Sequence, residues 1–346
     1  MRAAIFHEPG DLRLEDVEDP TAGPGELLLR MRATATCGTD AKIYGHGHPR
    51  LEPPQIIGHE LAGEVLAIGQ GTQAFAIGDR VQVIAAVPCG DCWACDDGIA
   101  QVCPNQTSMG YQYPGGFAEH MVVPELVVRV GGVNHIPEGL SYAEASVTEP
   151  LACALNAQEL ARVGEGDVVV VMGAGPIGCL HVRLARARGA TRVFLTDING
   201  DRLKLSADRV EPDAMIEGSG QDVIDQVMAL TDGRGASVII TAAPSGKAQE
   251  DAIAMAAPQG RISFFGGLPK DDPYIRCNSN TVHYRELSLI GANGSSPDHN
   301  RRALDLIASG AVPVADLITH RMPLERVHDA IQAVISGEAI KVVVEP

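Results

Sequence analysis

A glycine loop, GAGPIG at residues 173–178, directly follows the apolar run VVVVM and opens a helical pattern. An apolar run that ends in glycines is typical of a buried strand that enters a tight turn. In G-x-G-x-x-G spacing, Gly173 permits the turn, Gly175 lets backbone approach a pyrophosphate, and Gly178 lets the helix lie close to the strand. The N-terminus of that helix offers free N–H groups to phosphate. The loop therefore predicts a Rossmann-type dinucleotide site, with a glycine-rich turn that binds nothing as the alternative.

The chain alternates between strand and helix patterns from about residue 160. Strand-like runs such as RVFLT, ASVIIT and RISFF alternate with helix-like runs such as DRLKLSADRV and QDVIDQVMAL. This alternation predicts a doubly wound parallel sheet covered by helices. Residues 1–150 instead contain short apolar runs broken by Gly and Pro, which is typical of an antiparallel, loop-rich β domain. We predict an α/β fold class with two domains, for which 346 residues are enough.

Asp197 ends the strand pattern that follows the glycine-loop helix, close to the expected 20 or so residues downstream. A carboxylate at this place accepts hydrogen bonds from both ribose hydroxyls and repels a 2′-phosphate. NAD is therefore favoured over NADP. Arg202 lies nearby in the sequence and could bind a 2′-phosphate, so NADP stays open as the alternative.

Four cysteines lie in the stretch CGDCWACDDGIAQVC. Disulfides, a redox pair and a metal compete to explain them. A chain with 45% hydrophobic residues needs no cross-links to build a core, and a redox pair does not explain four thiols. The spacing C-x2-C-x2-C-x7-C brings four soft sulfurs to one ion, which selects zinc and leaves no open position. We predict a structural zinc in a lobe at about residues 88–104, held by Cys89, Cys92, Cys95 and Cys103.

The formal net charge is −17, which disfavours nucleic acid and acidic membrane surfaces as partners. The first residues do not form a signal peptide, and the run VVVVM is far too short to span a bilayer. We therefore expect no nucleic-acid or membrane partner and a cytoplasmic location, where thiols stay reduced. A zinc-ribbon protein that binds a partner without catalysis is the alternative of another class.

A second set of residues has a different chemistry. Cys37 lies in ATCGTD, and His59 and Glu60 lie in IIGHELAGEV. A thiolate, an imidazole and a carboxylate suit a catalytic zinc that keeps one position open. Glu149, in VTEPLACAL, precedes the nucleotide domain and offers a further carboxylate. Taken singly, each of these residues also fits an ordinary place in a core, in a turn or on the surface.

The motifs CGTD, GHE, the four-cysteine lobe, GGFAEH, EP and GAGPIG follow one another along the chain. In this order they resemble the zinc-containing medium-chain alcohol dehydrogenases, and within them the polyol branch of sorbitol (L-iditol) dehydrogenases. The resemblance spans the whole chain. It implies a GroES-like catalytic domain at 1–150 and 290–346 and an inserted Rossmann NAD-binding domain at 151–289. It also implies a homo-oligomer, a tetramer more than a dimer.

The resemblance further implies roles for single residues. Cys37 and His59 match the ligands of the catalytic zinc, and Glu60 and Glu149 match acids that exchange places around it. Thr39 matches the hydroxyl that binds the reacting alcohol. The cofactor contacts predicted from the glycine loop and the resemblance together are Gly173, Gly175, Pro176, Ile177, Gly178, Asp197, Arg202, Phe265, Gly266, Gly267, Ala292 and Asn293.

Two departures from the family pattern bear on the substrate. Sorbitol-type enzymes carry an Arg-Tyr pair where LIGANGSS places Gly294 and Ser295, so the arginine that would bind a substrate hydroxyl is missing. The threonine dehydrogenase branch carries a histidine just before the cysteine lobe, where this chain reads VIAAVP. His46 and His48, in YGHGHP, either contact the substrate or belong to an exposed loop.

Together these features predict a zinc-dependent oxidoreductase that transfers a hydride from a secondary alcohol to NAD and forms a ketone. A polyol, sugar, cyclitol or sugar-derived amine fits as the small-molecule substrate. The alternatives are L-threonine 3-dehydrogenase-like oxidation of an amino alcohol, a zinc-free reductase of the same fold, and the non-catalytic zinc-ribbon protein.

Overall fold

The computed structural model describes all 346 residues, which form two compact units. Unit 1 comprises Met1–Ala152 and Gly294–Pro346, and unit 2 comprises Cys153–Asn293. The catalytic and NAD-binding roles predicted for the two parts of the chain stay predictions at this point.

The chain forms 18 strands, most of them short, as befits a sequence rich in Gly and Pro. In chain order they are β1 (Arg2–Glu8), β2 (Asp11–Asp16), β3 (Leu27–Ala35), β4 (Gln55–Ile56), β5 (Glu60–Ile68), β6 (Arg80–Val83), β7 (Ala86–Val87), β8 (Thr107–Ser108), β9 (His120–Val123), β10 (Val133–His135), β11 (Val168–Met172), β12 (Arg192–Asp197), β13 (Ala214–Glu217), β14 (Ala236–Thr241), β15 (Ala256–Phe264), β16 (Ser288–Gly291), β17 (Ile318–Pro323) and β18 (Lys341–Glu345).

Twelve α-helices connect or cover these strands, and the longer ones carry an apolar stripe that packs on a sheet. They are α1 (Gly38–His46), α2 (Trp93–Asp96), α3 (Glu125–Arg129), α4 (Tyr142–Ser146), α5 (Thr148–Leu160), α6 (Pro176–Ala187), α7 (Gly200–Val210), α8 (Gln221–Leu230), α9 (Gly246–Met255), α10 (Ser279–Tyr284), α11 (Pro297–Ala308) and α12 (Val327–Ser336). None of the twelve combines the length and the apolar character that a bilayer-spanning helix requires.

Unit 1 is built on a seven-stranded sheet with the order β10-β6-β5-β3-β18-β17, in which β9 also pairs with β3. Its pairs are antiparallel except that of β17 with β18. Strand β18 pairs with β3 through Val343 opposite Ala35, so the two separate segments of unit 1 share one sheet. Buried side chains such as Leu29, Met31 and Leu61 form the core on this sheet.

Unit 2 contains a parallel sheet with the order β13-β12-β11-β14-β15-β16. Val169, Val170 and Val171 of the central strand β11 are fully buried, as expected for a strand covered on both faces. The strand order reverses direction at β11, which is the doubly wound arrangement. The predicted fold class, a doubly wound parallel sheet together with an antiparallel β domain, is confirmed.

Candidate metal centres and nucleotide site

The sulfur atoms of the four-cysteine lobe lie at the spacing that a tetrahedral zinc requires. Cys92 Sγ is 3.6 Å from Cys95 Sγ and 3.7 Å from Cys103 Sγ, which in turn is 3.5 Å from Cys89 Sγ. A tetrahedron with Zn–S bonds of about 2.3 Å has S···S edges of about 3.8 Å. These separations far exceed a disulfide bond of about 2.05 Å, and all four cysteines are free. The lobe therefore fits a closed, structural zinc.

Backbone N–H groups support the lobe sulfurs. The N–H of Cys89 donates to Cys103 Sγ at 3.4 Å, and that of Gly90 donates to Cys95 Sγ at 3.3 Å. The backbone N–H of Cys95 is the main cause that lowers the pKa of Cys92 to about 7. A side-chain hydrogen bond with Asp91 instead raises the pKa of Cys89 to about 12, so the four thiols do not ionise together without a metal.

Cys37, His59 and Glu60 form the second cluster, in unit 1. Their candidate ligand atoms all lie within 4.8 Å of one another. The pairing of β3 with β5 explains this, because Ala35 stands opposite Glu60. Cys37 follows the end of β3 as the N-cap of α1, and His59 immediately precedes β5. The sulfur, nitrogen and oxygen donors suit zinc in an open site.

Asp40 connects two of these ligands. One carboxylate oxygen accepts the backbone N–H of Cys37 at 2.8 Å, and the other lies 3.2 Å from His59 Nδ1. Burial lowers the pKa of His59, but the charges of Asp40 and Cys37 outweigh burial and hold that pKa well above the usual 6.5. Because Nδ1 faces Asp40, Nε2 is the nitrogen left to bind a metal.

Glu60 is fully buried and forms an ion pair with Lys341, which is 2% exposed. Lys341 Nζ donates to both carboxylate oxygens at 2.8 and 2.7 Å and to the Thr36 carbonyl at 2.9 Å. Burial raises the pKa of Glu60 to about 7, with Lys341 opposing the rise and Glu149 adding to it. Burial alone would lower the pKa of Lys341, but the neighbouring charges, chiefly Glu60, raise it. The ammonium thus compensates a carboxylate that would otherwise be costly to bury.

Glu149 and Thr39, the other predicted catalytic residues, lie outside the 4.8 Å group. Glu149 is in the first turn of α5, near enough for its charge to act on Glu60 and Lys341. Thr39 is half-buried on α1, and its hydroxyl has no hydrogen-bond partner within the protein. Both residues belong to unit 1 with the cluster, and the hydroxyl is available to a ligand.

The glycine loop of unit 2 has the geometry that its sequence predicts. Gly173 has a φ of +114°, which favours glycine. A Cβ on Gly178 would lie 1.8 Å from the carbonyl oxygen of Gly173, so the helix could not approach the loop with any larger residue. A Cβ on Gly175 would meet nothing within 4 Å, which leaves space for a ligand over the N-terminus of α6. Pro176 is the first residue of that helix, followed by the half-buried Ile177.

Asp197 lies at the carboxyl end of β12 and lines a cavity with Gly173, Thr196 and Gly218. Its carboxylate oxygens accept the N–H of Ala174 at 2.7 Å and that of Asn199 at 2.9 Å, which fixes their orientation. Arg202 is half-buried in the first turn of α7, and its guanidinium has no hydrogen bond or ion pair within the protein.

The remaining predicted cofactor residues follow the ends of β15 and β16. The N–H of Gly266 donates to the Thr241 carbonyl at 2.7 Å, and that of Ala292 donates to the Phe264 carbonyl at 3.3 Å. The Asn293 carbonyl accepts Asn156 Nδ2 at 3.3 Å, and Phe265 packs edge-on against His181. Gly267 is exposed. Because the carboxyl ends of parallel strands meet at one edge of a sheet, these residues share that edge with the glycine loop.

Sequence reasoning missed three residues of the unit 1 cluster, Asp40, Tyr111 and Lys341. Asp40 lies inside the CGTD motif, where a carboxylate three residues after a candidate ligand was a usable signal. Tyr111 and Lys341 come from distant segments that carry no metal-binding pattern. His46 is exposed at the end of α1, whereas His48 packs edge-on against Tyr111.

Comparisons with known proteins agree with this geometry. The family model described as the alcohol dehydrogenase GroES-like domain matches residues 23–131, and the one described as zinc-binding dehydrogenase matches residues 176–309. The chain is 31% identical to a sorbitol dehydrogenase of Halalkalibacterium halodurans, over 98% of this chain and 97% of that one. It is 34% identical to an L-threonine 3-dehydrogenase of Pyrococcus horikoshii, over 99% and 98%.

Among solved structures, similarity extends to a protein of Sinorhizobium meliloti 1021 assigned as a zinc-binding dehydrogenase and bound to NADP. The two chains are 30% identical with a TM-score of 0.92, over 100% of this chain and 99% of that one. The family models match parts of both units, and the first of them spans Cys37, His59, Glu60 and the four-cysteine lobe. This chain therefore belongs to the zinc-containing medium-chain alcohol dehydrogenases, in their polyol dehydrogenase-like branch.

Proposed function

We propose that the protein oxidises the secondary alcohol of a polyol, sugar, cyclitol or related small molecule to a ketone, with NAD as the hydride acceptor. The observation that carries the proposal is the convergence of Cys37, His59 and Glu60 within 4.8 Å. It occurs in a chain whose unit 2 carries a complete dinucleotide loop. The donor set disfavours a zinc-free reductase, which would not require metal ligands. The dinucleotide loop disfavours a zinc-ribbon protein that only binds a partner, because such a protein would not require a cofactor site.

When bound, zinc supplies Lewis acidity to the alcohol oxygen, and NAD supplies the hydride acceptor. In this proposal, Cys37 and His59 hold the metal, with Glu60 or Glu149 as the third ligand. Asp40 keeps the His59 ring in place through Nδ1. Thr39, whose hydroxyl has no partner in the protein, accepts the alcohol proton while it releases its own proton to solvent.

The preference for NAD rests on Asp197. Its carboxylate is fixed by two backbone N–H groups at the rim of the unit 2 cavity, where it repels a 2′-phosphate. The relative solved with NADP and the unpaired Arg202 favour the opposite preference.

In Asp197→Ala, we expect the ratio of kcat/KM for NAD to that for NADP to fall at least about tenfold, because charge-assisted hydrogen bonds of about 1.5–3 kcal/mol are lost. Asp201→Ala, an exposed acid on α7, is the matched control.

The direct test measures turnover of a panel of secondary alcohols with NAD or NADP. The absorbance of the reduced nucleotide reports the rate. The panel contains sorbitol, xylitol, myo-inositol, 2,3-butanediol and L-threonine. Zinc-dependent turnover of a polyol, cyclitol or diol with NAD is the expected result. Turnover of none of them with either nucleotide, by protein that holds two zincs per chain, contradicts the proposal.

Oxidation of an amino alcohol is the second candidate. The 34% identity to the threonine dehydrogenase of Pyrococcus horikoshii favours it. The residues before the cysteine lobe, VIAAVP, oppose it because the histidine of that branch is absent. A kcat/KM for L-threonine above that for every polyol would establish this alternative.

The assembly and the compartment complete the proposal. We infer a homo-oligomer, a tetramer more than a dimer, in the cytoplasm. Two observations support the oligomer: membership in the family, and the exposure of two aromatic side chains of unit 2, Tyr274 at 85% and Tyr284 at 79%. Light scattering should give four times the chain mass of 36.4 kDa, and a monomer mass contradicts the assembly.

A further inference from the structure

Tyr111 lies beside the Cys37–His59–Glu60 cluster and is held there by its surroundings. Its ring centroid is 6.2 Å from that of His59. Its backbone carbonyl accepts Gln55 Nε2 at 2.9 Å. The preceding Gly110 approaches the Gly58 backbone so closely that a Cβ there would lie 3.0 Å from the Gly58 oxygen. The loop that carries Tyr111 is therefore fixed against the residue that precedes His59.

His48 packs on the same ring from another side. The His48 and Tyr111 centroids are 4.9 Å apart with an interplanar angle of 80°, an edge-to-face contact. His48 Nδ1 accepts the backbone N–H of Arg50 at 3.2 Å, which fixes the imidazole orientation. The Tyr111 ring also packs against the hydrophobic cluster that contains Ile57 and Phe117. These contacts restrict rotation of the phenol.

The Tyr111 hydroxyl has no hydrogen-bond partner within the protein. Tyr44 of the same unit offers a contrast, because its hydroxyl lies 2.9 Å from His328 Nε2. A tyrosine hydroxyl inside a protein usually has a hydrogen-bond partner. The Tyr111 hydroxyl keeps some contact with solvent, so a ligand can reach it. Burial is the main cause that raises the pKa of Tyr111 to about 12, and the charges of Asp40, Cys37 and Glu149 add to the rise. The ring, 6.2 Å from that of His59, therefore lies among the charged residues of the cluster.

Building on the proposed function, we propose that Tyr111 is a specificity-determining residue whose hydroxyl donates a hydrogen bond to a second hydroxyl of the substrate, next to the carbinol that reacts at the Cys37–His59–Glu60 cluster. The ligand class is therefore a vicinal diol or longer polyol rather than a simple secondary alcohol. A simple alcohol offers no second hydroxyl to this phenol, so it gains nothing from Tyr111. His48 acts through Tyr111 by holding its ring.

The test compares 2,3-butanediol with 2-butanol in wild type and Tyr111→Phe, which keeps the ring and removes only the hydroxyl. We expect kcat/KM for the diol to fall about tenfold, the value of one hydrogen bond, and kcat/KM for 2-butanol to change less than twofold. The dissociation constant of the diol from the complex with NADH, measured by nucleotide fluorescence, should rise by the same factor. Zinc content should stay at the wild-type value. Tyr113→Phe, two residues along the same loop, is the matched control and should change neither alcohol.

Equal losses for both alcohols, or no loss for the diol, overturn the role of Tyr111 while the proposed function stands. A loss for the diol that Tyr113→Phe reproduces overturns it as well. A wild-type protein that turns over neither these alcohols nor any polyol overturns the proposed function, and this inference with it.

Discussion

The two units build their candidate sites from different materials. Unit 1 gathers buried charged side chains, among them Glu60 and Lys341, from segments about 280 residues apart. Unit 2 uses the backbone of a six-residue loop and one carboxylate, Asp197. A site made of charged side chains is stable only when every charge has a partner. A site made of backbone depends instead on close packing that only glycine permits.

Two buried histidines, one in each unit, differ in the same way: His59 lies among charged side chains and His181 does not. His59 of unit 1 lies 3.2 Å from Asp40, and neighbouring negative charges hold its pKa well above 6.5 despite burial. His181 of unit 2 has no charged partner, and burial lowers its pKa to about 3. Burial disfavours the charged ring in both places, so the surrounding charges decide the outcome. The following predictions test this contrast, from the largest expected effect to the smallest.

Cys37→Ala should abolish turnover while NADH binding to unit 2 persists. Loss of a ligand removes a Lewis acid that contributes several kcal/mol to the transition state, on the order of 10³-fold or more in kcat/KM. Zinc content should fall from two to one per chain, measured by elemental analysis alongside NADH fluorescence. His59→Ala should behave alike, and turnover near that of wild type in either variant contradicts the metal assignment.

Cys95→Ala is the matched variant in the four-cysteine lobe. It should remove the other zinc and disorder residues 88–104, because metal binding of this kind contributes on the order of 10 kcal/mol or more to local ordering. Hydrogen exchange in the lobe reports the loss. Cys277→Ser, at an exposed cysteine, should leave both zincs in place.

Lys341→Met should destabilise the zinc-free protein by about 3–5 kcal/mol, because it leaves Glu60 buried without its counter-charge. Zinc should restore part of this loss, since a bound cation replaces the missing ammonium charge. Urea unfolding of unit 1 with a chelator and with zinc measures both values. The control, Arg301→Met, breaks the exposed pair with Asp298 and should cost less than about 1 kcal/mol. Equal losses with and without zinc would show that Lys341 does not serve the metal site.

Gly178→Ala should weaken NADH binding and cost unit 2 about 1–3 kcal/mol, because the new Cβ collides with the Gly173 carbonyl and displaces α6. Gly175→Ala should leave the fold unchanged, since its Cβ meets no protein atom, and yet hinder the approach of the cofactor. NADH titration and thermal unfolding separate the two effects. Equal stability of the two variants would contradict the packing role of Gly178.

His181→Leu should reduce the acid sensitivity of unit 2. Above about pH 6.5 the histidine is neutral in both states and its full contribution to stability is present. As the pH falls from about 6.5 towards 3, only the unfolded chain binds the proton, so wild type loses stability, about 2 kcal/mol by pH 5. Hydrogen exchange of β11 and β12 at pH 7.5 and 5 should show this loss in wild type and not in the variant. His283→Gln, at an exposed histidine, should behave as wild type.

Local patterns made much of the molecule predictable from the sequence. Three predicted features are local in sequence: the run VVVVM, the spacing of Gly173 and Gly178, and the spacing of the four lobe cysteines. Each spans only a few residues, so its geometry does not depend on distant parts of the chain. The pairing of Glu60 with Lys341 was not predictable, because it depends on the register of β18 against β3. Lys341 opens the apolar run KVVVEP and looks, in sequence, like a solvated strand end. Tyr111 lies in a turn whose residues carry no periodic signal, so only the fold brings it to His59.

The place of β18 in the unit 1 sheet has a consequence for biosynthesis. When the first 300 residues have been synthesised, the nascent chain already contains Cys37, His59 and Glu60. It does not yet contain β18, whose Lys341 neutralises the buried Glu60. A nascent chain at that stage holds an uncompensated carboxylate at the first residue of β5. Maturation of the metal pocket is thereby postponed until translation has passed Lys341.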